Sequence, residues 1–546
     1  MLSCVRYIVI VLILYSRLCF AVDTGNTFDQ NIRLDEQKKI FDRFEQQLQN
    51  SPSRYEIPLP NFQQPSSDHS PCIIFKKILC EKVTLLSDQE IETITTRYVG
   101  TCMSEDALKN LLNEFSSLYL QKGYITSRMY MQEQNVSTGT LHLIALEGKI
   151  EKIQTSSSDI TRSFENQTGE YLNLRELEKA LSIVNRLPSN SVSMQLIPSE
   201  TNVGESIIVL DNNRTKPFSL ELSDNNYGSA KTGRNQVSAR ISYDNVLDLS
   251  DQIVLNLNTT DHHFQNENSI GNSISYSLPL GDIVYTLSYT DSDYKQRVPS
   301  GTTLYQMDGH TKTYELSAAK ELFHNQFHTF NTTVSVSSYE VESYMSDNLI
   351  DTSTYRLSKA SLSLDYSYRT SALFSYVLLK YIQGTDWFGN HNPTELDEKY
   401  TAFQLDTSLM IPIDAVRYKL NFHGQYSDDQ LFSVNQISIG GAYSIRGYQN
   451  DGLEGNSGYY LRNELSYPSL TKESFSWIDL TPYIALDLGA IRDEEDSEGG
   501  RLMSYSVGLQ LSKYAFFADI SYSIPVWKED IQKAEPFLGF FITYKY

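Results

Sequence analysis

The stretch IGGAYSIRGYQNDGLEG, residues 439–455, carries five glycines and one arginine, Arg446, held in Ile445-Arg446-Gly447-Tyr448. A guanidinium is charged at every physiological pH and offers a planar fork of donors that matches a carboxylate. Glycine lets a loop turn tightly beside it. The chemistry open to Arg446 is thus a positioning ion pair; in isolation it reads as a solvated loop arginine. Other groups invite chemistry less well. His262 and His263 of DHHF (261–264) would point to opposite faces of a strand and could not share an ion there, so a loop or rim position suits them better. The acidic run RDEEDSEGG (492–500) lacks the spaced ligands of a calcium loop and reads as a solvated loop. No P-loop, Rossmann glycine pattern, G-x-S-x-G or H-E-x-x-H is present, which argues against a nucleotide-driven pump or a hydrolase. No catalytic residue, metal or cofactor is expected.

The elements that must position Arg446 begin with a leader. Arg6, the apolar run 8–14 and Cys19-Phe20-Ala21 form a secretory signal peptide over 1–21, too short in its apolar core for a membrane anchor. Arg17 and Leu18 do not suit lipoprotein processing at Cys19. No later apolar run is long enough for a transmembrane helix, which leaves a β-barrel open. The charge of -22, from 67 acidic and 45 basic residues, speaks against nucleic acid as a partner. Cys72, Cys80 and Cys102 remain after cleavage, an odd number in an oxidising compartment, so one disulfide and one thiol is the simplest arrangement.

Residues 22–50 are polar and helix-prone, with Phe28, Ile32, Phe41, Phe44 and Leu48 near one face; a surface helix and a helix housed in an aqueous lumen are both open. Prolines at 52, 58, 60, 65 and 71 make 51–71 an extended linker. From 72 to 215 the order strand, helix, helix, strand, strand recurs, over 72–148 and 149–215. The first unit has a strand at 73–79, helices at 87–97 and 104–121, and strands at 125–131 and 140–146. The second has strands at 149–155, 191–197 and 205–210 with a helix at 173–186. Such sheets have open edges that can accept an added strand. Residues 216–546 hold 29 of the 37 tyrosines and alternate apolar and small polar residues. The clearest hairpin is SISYSLPL-GD-IVYTLSYT, turning at Gly281-Asp282. Aromatic girdles and a watery interior account for this dyad. At about 10 residues per tilted span, with turns and loops doubling that, the region makes about 16 strands. The last residues alternate back from Tyr546 through Tyr544, Ile542, Phe540 and Leu538, similar to the C-terminal signal of outer-membrane proteins. The predicted fold is a membrane β-barrel of about 16 antiparallel strands at 216–546, preceded by two α+β modules and a plug-like helix.

Taken together, these features resemble the two-partner secretion outer-membrane transporters of hemolysins and hemagglutinins, a branch of the Omp85 superfamily. The matching stretches are GTCMSEDALKNLLNEFSSLYLQKGYITSRMYMQEQNVSTGTLHLIALEGKIEKI (100–153), LNLRELEKALSIVNRLPSNSVSMQLIP (172–198) and DNNYGSAKTGRNQ (224–236). The resemblance makes the modules POTRA domains. It implies that a long extracellular loop folds back into the barrel with Ile445, Arg446, Gly447 and Tyr448 at its tip. The family's partner motif on a barrel strand, F-x-D-x-G, is matched by Ala485-Leu486-Asp487-Leu488-Gly489, with alanine in place of phenylalanine; Asp487 and Gly489 become the wall residues. In a water-filled lumen such a pair is expected to contribute about 1 kcal/mol, as exposed pairs do, and to matter by fixing the tip. The family often pairs cysteines at the positions of Cys72 and Cys102; Cys72 with Cys80 remains open. Gly123, Tyr124, Thr126 and Arg128 of the first module are the candidates for substrate recognition.

The function implied is secretion of one large, β-rich exoprotein, an adhesin, cytolysin or growth-inhibition toxin, with activation where it is a cytolysin. Its N-terminal secretion domain would arrive unfolded in the periplasm, meet the modules by strand addition, and thread the lumen once the helix near 28–50 has moved out. Folding outside would supply the drive. The implied partners are the cognate exoprotein, outer-membrane lipid and, during biogenesis, the barrel-assembly machinery. An assembly factor of the same superfamily fits the two modules, helix and linker less well, and a passive porin has no need of the modules.

Overall fold

The computed structural model describes residues 30–49, 72–155, 160, 162–260, 267–300, 303–325, 327–449, 452–468, 478–494, 499–528 and 534–546. The expected leader, the proline-rich linker and DHHF lie outside these residues, and the acidic run at 492–500 lies only partly within them.

Helix α1 (Gln30–Gln49) is followed by the first module. There, α2 (Asp88–Thr95) opens with a capping box in which Ser87 and Glu90 satisfy each other's backbone donors. Helix α3 (Glu105–Gln121) is capped by Ser104, whose side chain accepts from the Ala107 amide at 3.2 Å. It ends at Gly123, whose φ of +93° is open to glycine at little cost. Leu111, Phe115 and Tyr119, spaced by four, form the buried stripe of α3 and pack on Leu141 and Leu143. The sheet runs Lys77–Glu81 parallel to Thr140–Leu146, with Arg128–Met131 antiparallel on the far side. Cys72 and Cys102 form a disulfide with a Cα separation of 5.4 Å, across the small ladder of Ile73–Ile74 with Cys102–Met103. Cys80 is the free thiol, and burial pushes its pKa up to about 11, so it stays protonated at neutral pH.

In the second module residues 156–159 and 161 lie outside the described residues, Ile160 between them is helical, a 3-10 turn spans Arg162–Gln167, and α4 (Leu174–Asn185) follows. Leu177, Leu181 and Val184 of α4 pack on Ile150, Ile208 and Leu210. Its sheet is ordered Lys149–Thr155, Glu205–Asn212, Val192–Pro198. This module is docked on the barrel. Arg186, at the end of α4, donates to Ser277 Oγ and to the Ser250 carbonyl, both at 2.8 Å, and the Ser189 amide donates to Asp244 at 2.9 Å.

Sixteen antiparallel strands, from Phe218–Asn225 to Phe537–Lys545, close a barrel. The predicted hairpin has the predicted turn: Leu280 pairs with Ile283, and Gly281 takes φ +63°. Ile274, Leu287, Leu316, Val334, Leu362 and Leu379 point out from the wall and are exposed, an arrangement that water penalises and lipid hydrocarbon does not. The opposite face carries small polar residues that bond across strands, such as Ser335 with Ser361 and Ser506 with Ser523. The last strand pairs with the first from Phe541↔Asn225 to Lys545↔Glu221.

The Cys72–Cys102 bridge spans a sequence separation of 30, so its removal frees a loop whose closure entropy is about 3–4 kcal/mol. Cys72→Ser should therefore let protease cut within the first module at a lower urea concentration than in the parent, while the barrel keeps its midpoint.

A clasp and a helix inside the barrel

The connection between strands Val416–Tyr426 and Gly458–Ser466 folds into the lumen rather than standing above it. Its stem is a short ladder of Ile437–Ile439 with Leu453–Gly455. The tip between them turns through Gly440 and Gly441, both at positive φ, and Ser444 Oγ holds the turn by bonding both the amide and the carbonyl of Gly440 at 2.9 Å. Arg446 then meets Asp487 on the wall strand Asp479–Ile491. Nε donates to Oδ2 at 2.6 Å, Nη2 to Oδ1 at 2.8 Å, and the Arg446 backbone amide adds a third bond to Oδ2 at 3.1 Å. Nη1 reaches Glu464 at 3.3 Å, and the guanidinium lies 5.8 Å from the Tyr483 ring.

The expectation of a pair exposed to lumenal water is corrected here. Arg446 is 6% exposed and Asp487 0%, because the tip packs down on the wall and displaces solvent. A buried pair obeys different energetics. Its net contribution is small against an apolar replacement, but breaking one half strands a charge without water. The packing is specific. Ile445 is fully buried with Ile437, Ile439, Tyr448, Tyr460, Ile491 and Leu502. A Cβ at Gly489 would lie 2.8 Å from Ile445 Cδ1 and 2.6 Å from the Tyr459 carbonyl, so glycine is what lets the tip reach the wall. Tyr448 donates to the Met503 carbonyl at 2.8 Å.

Helix α1 lies in the same lumen. Arg43 pairs with Asp406 at 2.6 Å, and the same carboxylate takes His423 Nδ1 at 2.5 Å. Glu45 pairs with Lys419. Gln37 donates to the Ser438 carbonyl and hydroxyl, both at 3.0 Å, and so ties the helix to the stem of the loop. Phe41 packs its ring on Tyr443 of the tip, under the guanidinium of Arg462.

Ile445, Arg446, Gly447, Tyr448, Asp487 and Gly489 are thus brought together. The structure adds Glu464, Tyr483 and Arg43–Asp406, which the sequence reading did not single out. Arg462 is the cross-strand partner of Asp487, yet its side chain donates to the Ala442 carbonyl at 2.9 Å and leaves the carboxylate to Arg446. The one sequence signal for Glu464 and Arg462 was charge on alternate positions of a barrel strand. The four candidates in the first module lie elsewhere, by the joint with the second. The Leu174 amide donates to the Gly123 carbonyl at 2.9 Å, and Asn173 Nδ2 to the Lys122 carbonyl at 3.2 Å. A Cβ on Gly148 would fall 2.0 Å from Thr126 Oγ1. Tyr124 packs on the first module's core, and Arg128 opens its edge strand.

Asp487→Ala leaves the Arg446 guanidinium buried without its main partner, at a cost of about 3–5 kcal/mol. The double substitution Arg446→Leu/Asp487→Leu should cost less than Asp487→Ala alone, a non-additivity read from thermal unfolding of the purified barrel.

Comparison with known proteins agrees with this architecture. The model of the haemolysin secretion/activation protein family (ShlB/FhaC/HecB) matches residues 204–511. A ShlB-type POTRA model matches 73–148, and a second POTRA model matches 149–198. The outer membrane transporter CdiB of Dickeya dadantii is 26% identical over 514 residues, covering 92% of this chain and 91% of the relative. The hemolysin transporter protein ShlB of Serratia marcescens is 29% identical over 442 residues, covering 79% and 78%. In fold, the chain is similar to CdiB from Escherichia coli, with a TM-score of 0.86 at 23% identity over 96% of this chain and 100% of that one. CdiB from Acinetobacter baumannii gives 0.80, also at 23% identity, over 96% and 100%. With the family model covering more than half its length, the chain belongs to the haemolysin secretion/activation proteins, as a two-partner secretion transporter of the outer membrane whose POTRA domains face the periplasm.

Proposed function

We propose that this barrel exports one large β-rich exoprotein through its lumen, without nucleotide hydrolysis or other catalysis, and that α1 is the removable occupant of that path. The observation that carries the reading is the way α1 is held. It meets the wall through ion pairs at Arg43 and Glu45, each 33% exposed, and the loop stem through hydrogen bonds from Gln37; water can solvate the two helix charges when the helix withdraws, and the buried Asp406 keeps His423 as a partner. The tip is held differently, by a desolvated fork, and serves as the fixed wall of the path: Arg446 and Asp487 set where it stands.

Delivery begins at the modules. Edge strands accept an added strand unless charge or a bulge protects them. In the second module Lys149–Thr155 carries Lys149, Glu151 and Lys152 and a register shift, whereas Val192–Pro198 at the other edge has no charged residue. Val192–Pro198 is the edge suited to an unfolded exoprotein. In the first module the edge strand starting at Arg128 presents exposed Tyr130 and Met131, and Gly123, Tyr124 and Thr126 set the angle between the two edges. The lipid-facing apolar wall and the aromatic C-terminal strand support outer-membrane lipid and the barrel-assembly machinery as further partners.

The deciding experiment compares culture supernatants from cells lacking the gene and complemented with the parent or with Arg446→Ala. The parent should restore one very large secreted protein. Arg446→Ala should restore far less of it at an equal amount of assembled barrel, and equal secretion would end the role given to the clasp. In planar bilayers, Arg43→Ala/Glu45→Ala should raise the time spent in conducting states, and higher salt should raise it in the parent, since screening weakens the same pairs.

A further inference from the structure

The barrel closes on a short seam. Within their strand bounds the first and last strands share five paired residues, Phe541↔Asn225 through Lys545↔Glu221, and Leu220 and Tyr546 add a sixth by exchanging backbone hydrogen bonds at 2.7 and 3.1 Å, whereas each strand shares eight pairs with its other neighbour. Just beyond the Phe541↔Asn225 pair, Asn226 supplies what the ladder lacks. Its amide donates to the Phe540 carbonyl at 3.3 Å, its Nδ2 to the Leu538 carbonyl at 2.8 Å, and its Oδ1 accepts from the Phe540 amide at 2.9 Å. A side-chain amide thus stands in for the next rung.

The residue after this clip connects the seam to the lumen. The Tyr227 ring lies parallel to Phe541, 11° between planes and 6.5 Å between centroids, over Gly539, where a Cβ would approach to 3.0 Å. The edge of Tyr227 meets Tyr443 at 5.6 Å and 88°, and Tyr443 meets Phe41 of α1 at 5.7 Å. These distances are those of aromatic pairs that attract through ring quadrupoles. Gln449 of the tip adds a polar tie, donating to the carbonyls of Tyr227 and Gly228. Four rings, Phe41, Tyr443, Tyr227 and Phe541, therefore run without a gap from the lumenal helix, through the tip, to the last strand.

We propose that Tyr443 and Tyr227 are positioning residues of transport, coupling the seating of α1 to the pairing of the first and last strands. With α1 seated, Phe41 presses Tyr443 on Tyr227 and Tyr227 on Phe541, and the seam is backed from inside. When α1 leaves, the series loses its first member and the seam loosens. This rests on the reading that α1 vacates the lumen during transport, and the test separates the two.

The full chain is placed in lipid nanodiscs, with α1 held in the lumen by Gln37→Cys/Ser438→Cys joined through a short thiol-reactive linker, and amide hydrogen exchange is followed. In the linked protein, Tyr443→Ala should speed exchange at residues 539–543 about tenfold, and Tyr443→Phe, which keeps the ring, should not. Where Tyr443→Ala fails to assemble, Phe41→Ala, on the helix and not in the barrel wall, should give the same acceleration. Unchanged exchange at 539–543 in linked Tyr443→Ala or Phe41→Ala overturns the coupling, as does equal acceleration by Tyr443→Phe. The α1 amides report separately. If 36–46 exchange alike with and without the linker, α1 does not leave, and it is the proposed transport path that fails.

Discussion

A bilayer interior offers no hydrogen-bond partner to a polypeptide, so each peptide group that crosses it must be satisfied by another. The architecture of this chain follows from that. Sixteen strands can meet the requirement only as a closed cylinder, and closure joins residues more than 300 apart in sequence, such as Leu222 with Tyr544. Closure at this size also creates an interior too wide for wall side chains alone to fill. What occupies it, the inward loop and α1, is a consequence of barrel size, and the chemistry of both occupants is set by a wall that turns serines, asparagines and charges inward.

The two occupants are held by different physics. The loop tip is anchored by a desolvated fork of three bonds from one residue to one carboxylate, with an apolar residue on each side: Ile445 behind Gly489 and Tyr448 against the wall near Met503. Such a contact adds little net stability but admits one geometry, since any displacement exposes a buried charge to an apolar surround. Helix α1 is held by the ion pairs of Arg43 and Glu45, by the buried Gln37, and by the rings of Phe41 on Tyr443 and of the buried Phe44. The second module is tied to the barrel by Arg186, on Ser277 and Ser250, and by the Ser189 amide, on Asp244.

Local pattern carried much of this structure. The two-residue turn at Gly281-Asp282 was readable because strand period and turn chemistry are encoded in neighbouring residues. Ser104 ahead of Glu105 and Asp106, and Gly123 after α3, marked that helix for the same reason. The tip residues around Arg446 were legible from their composition, and Asp487 only through resemblance to a family, since Glu464, Asp487 and Asp519 are equally plain as carboxylates in sequence.

By itself, then, the sequence determined the period-two wall, the tight turns, the helix caps and the two-module order, because each depends on residues within a turn or two of one another. Tertiary structure alone decided which carboxylate Arg446 takes, that the pair is dry, that Cys72 bonds Cys102 and not Cys80, and that α1 lies within the lumen with Arg43 on Asp406, 363 residues away. Those outcomes depend on which distant surfaces meet when the barrel closes and water is expelled between them, and no local pattern of residues encodes that meeting.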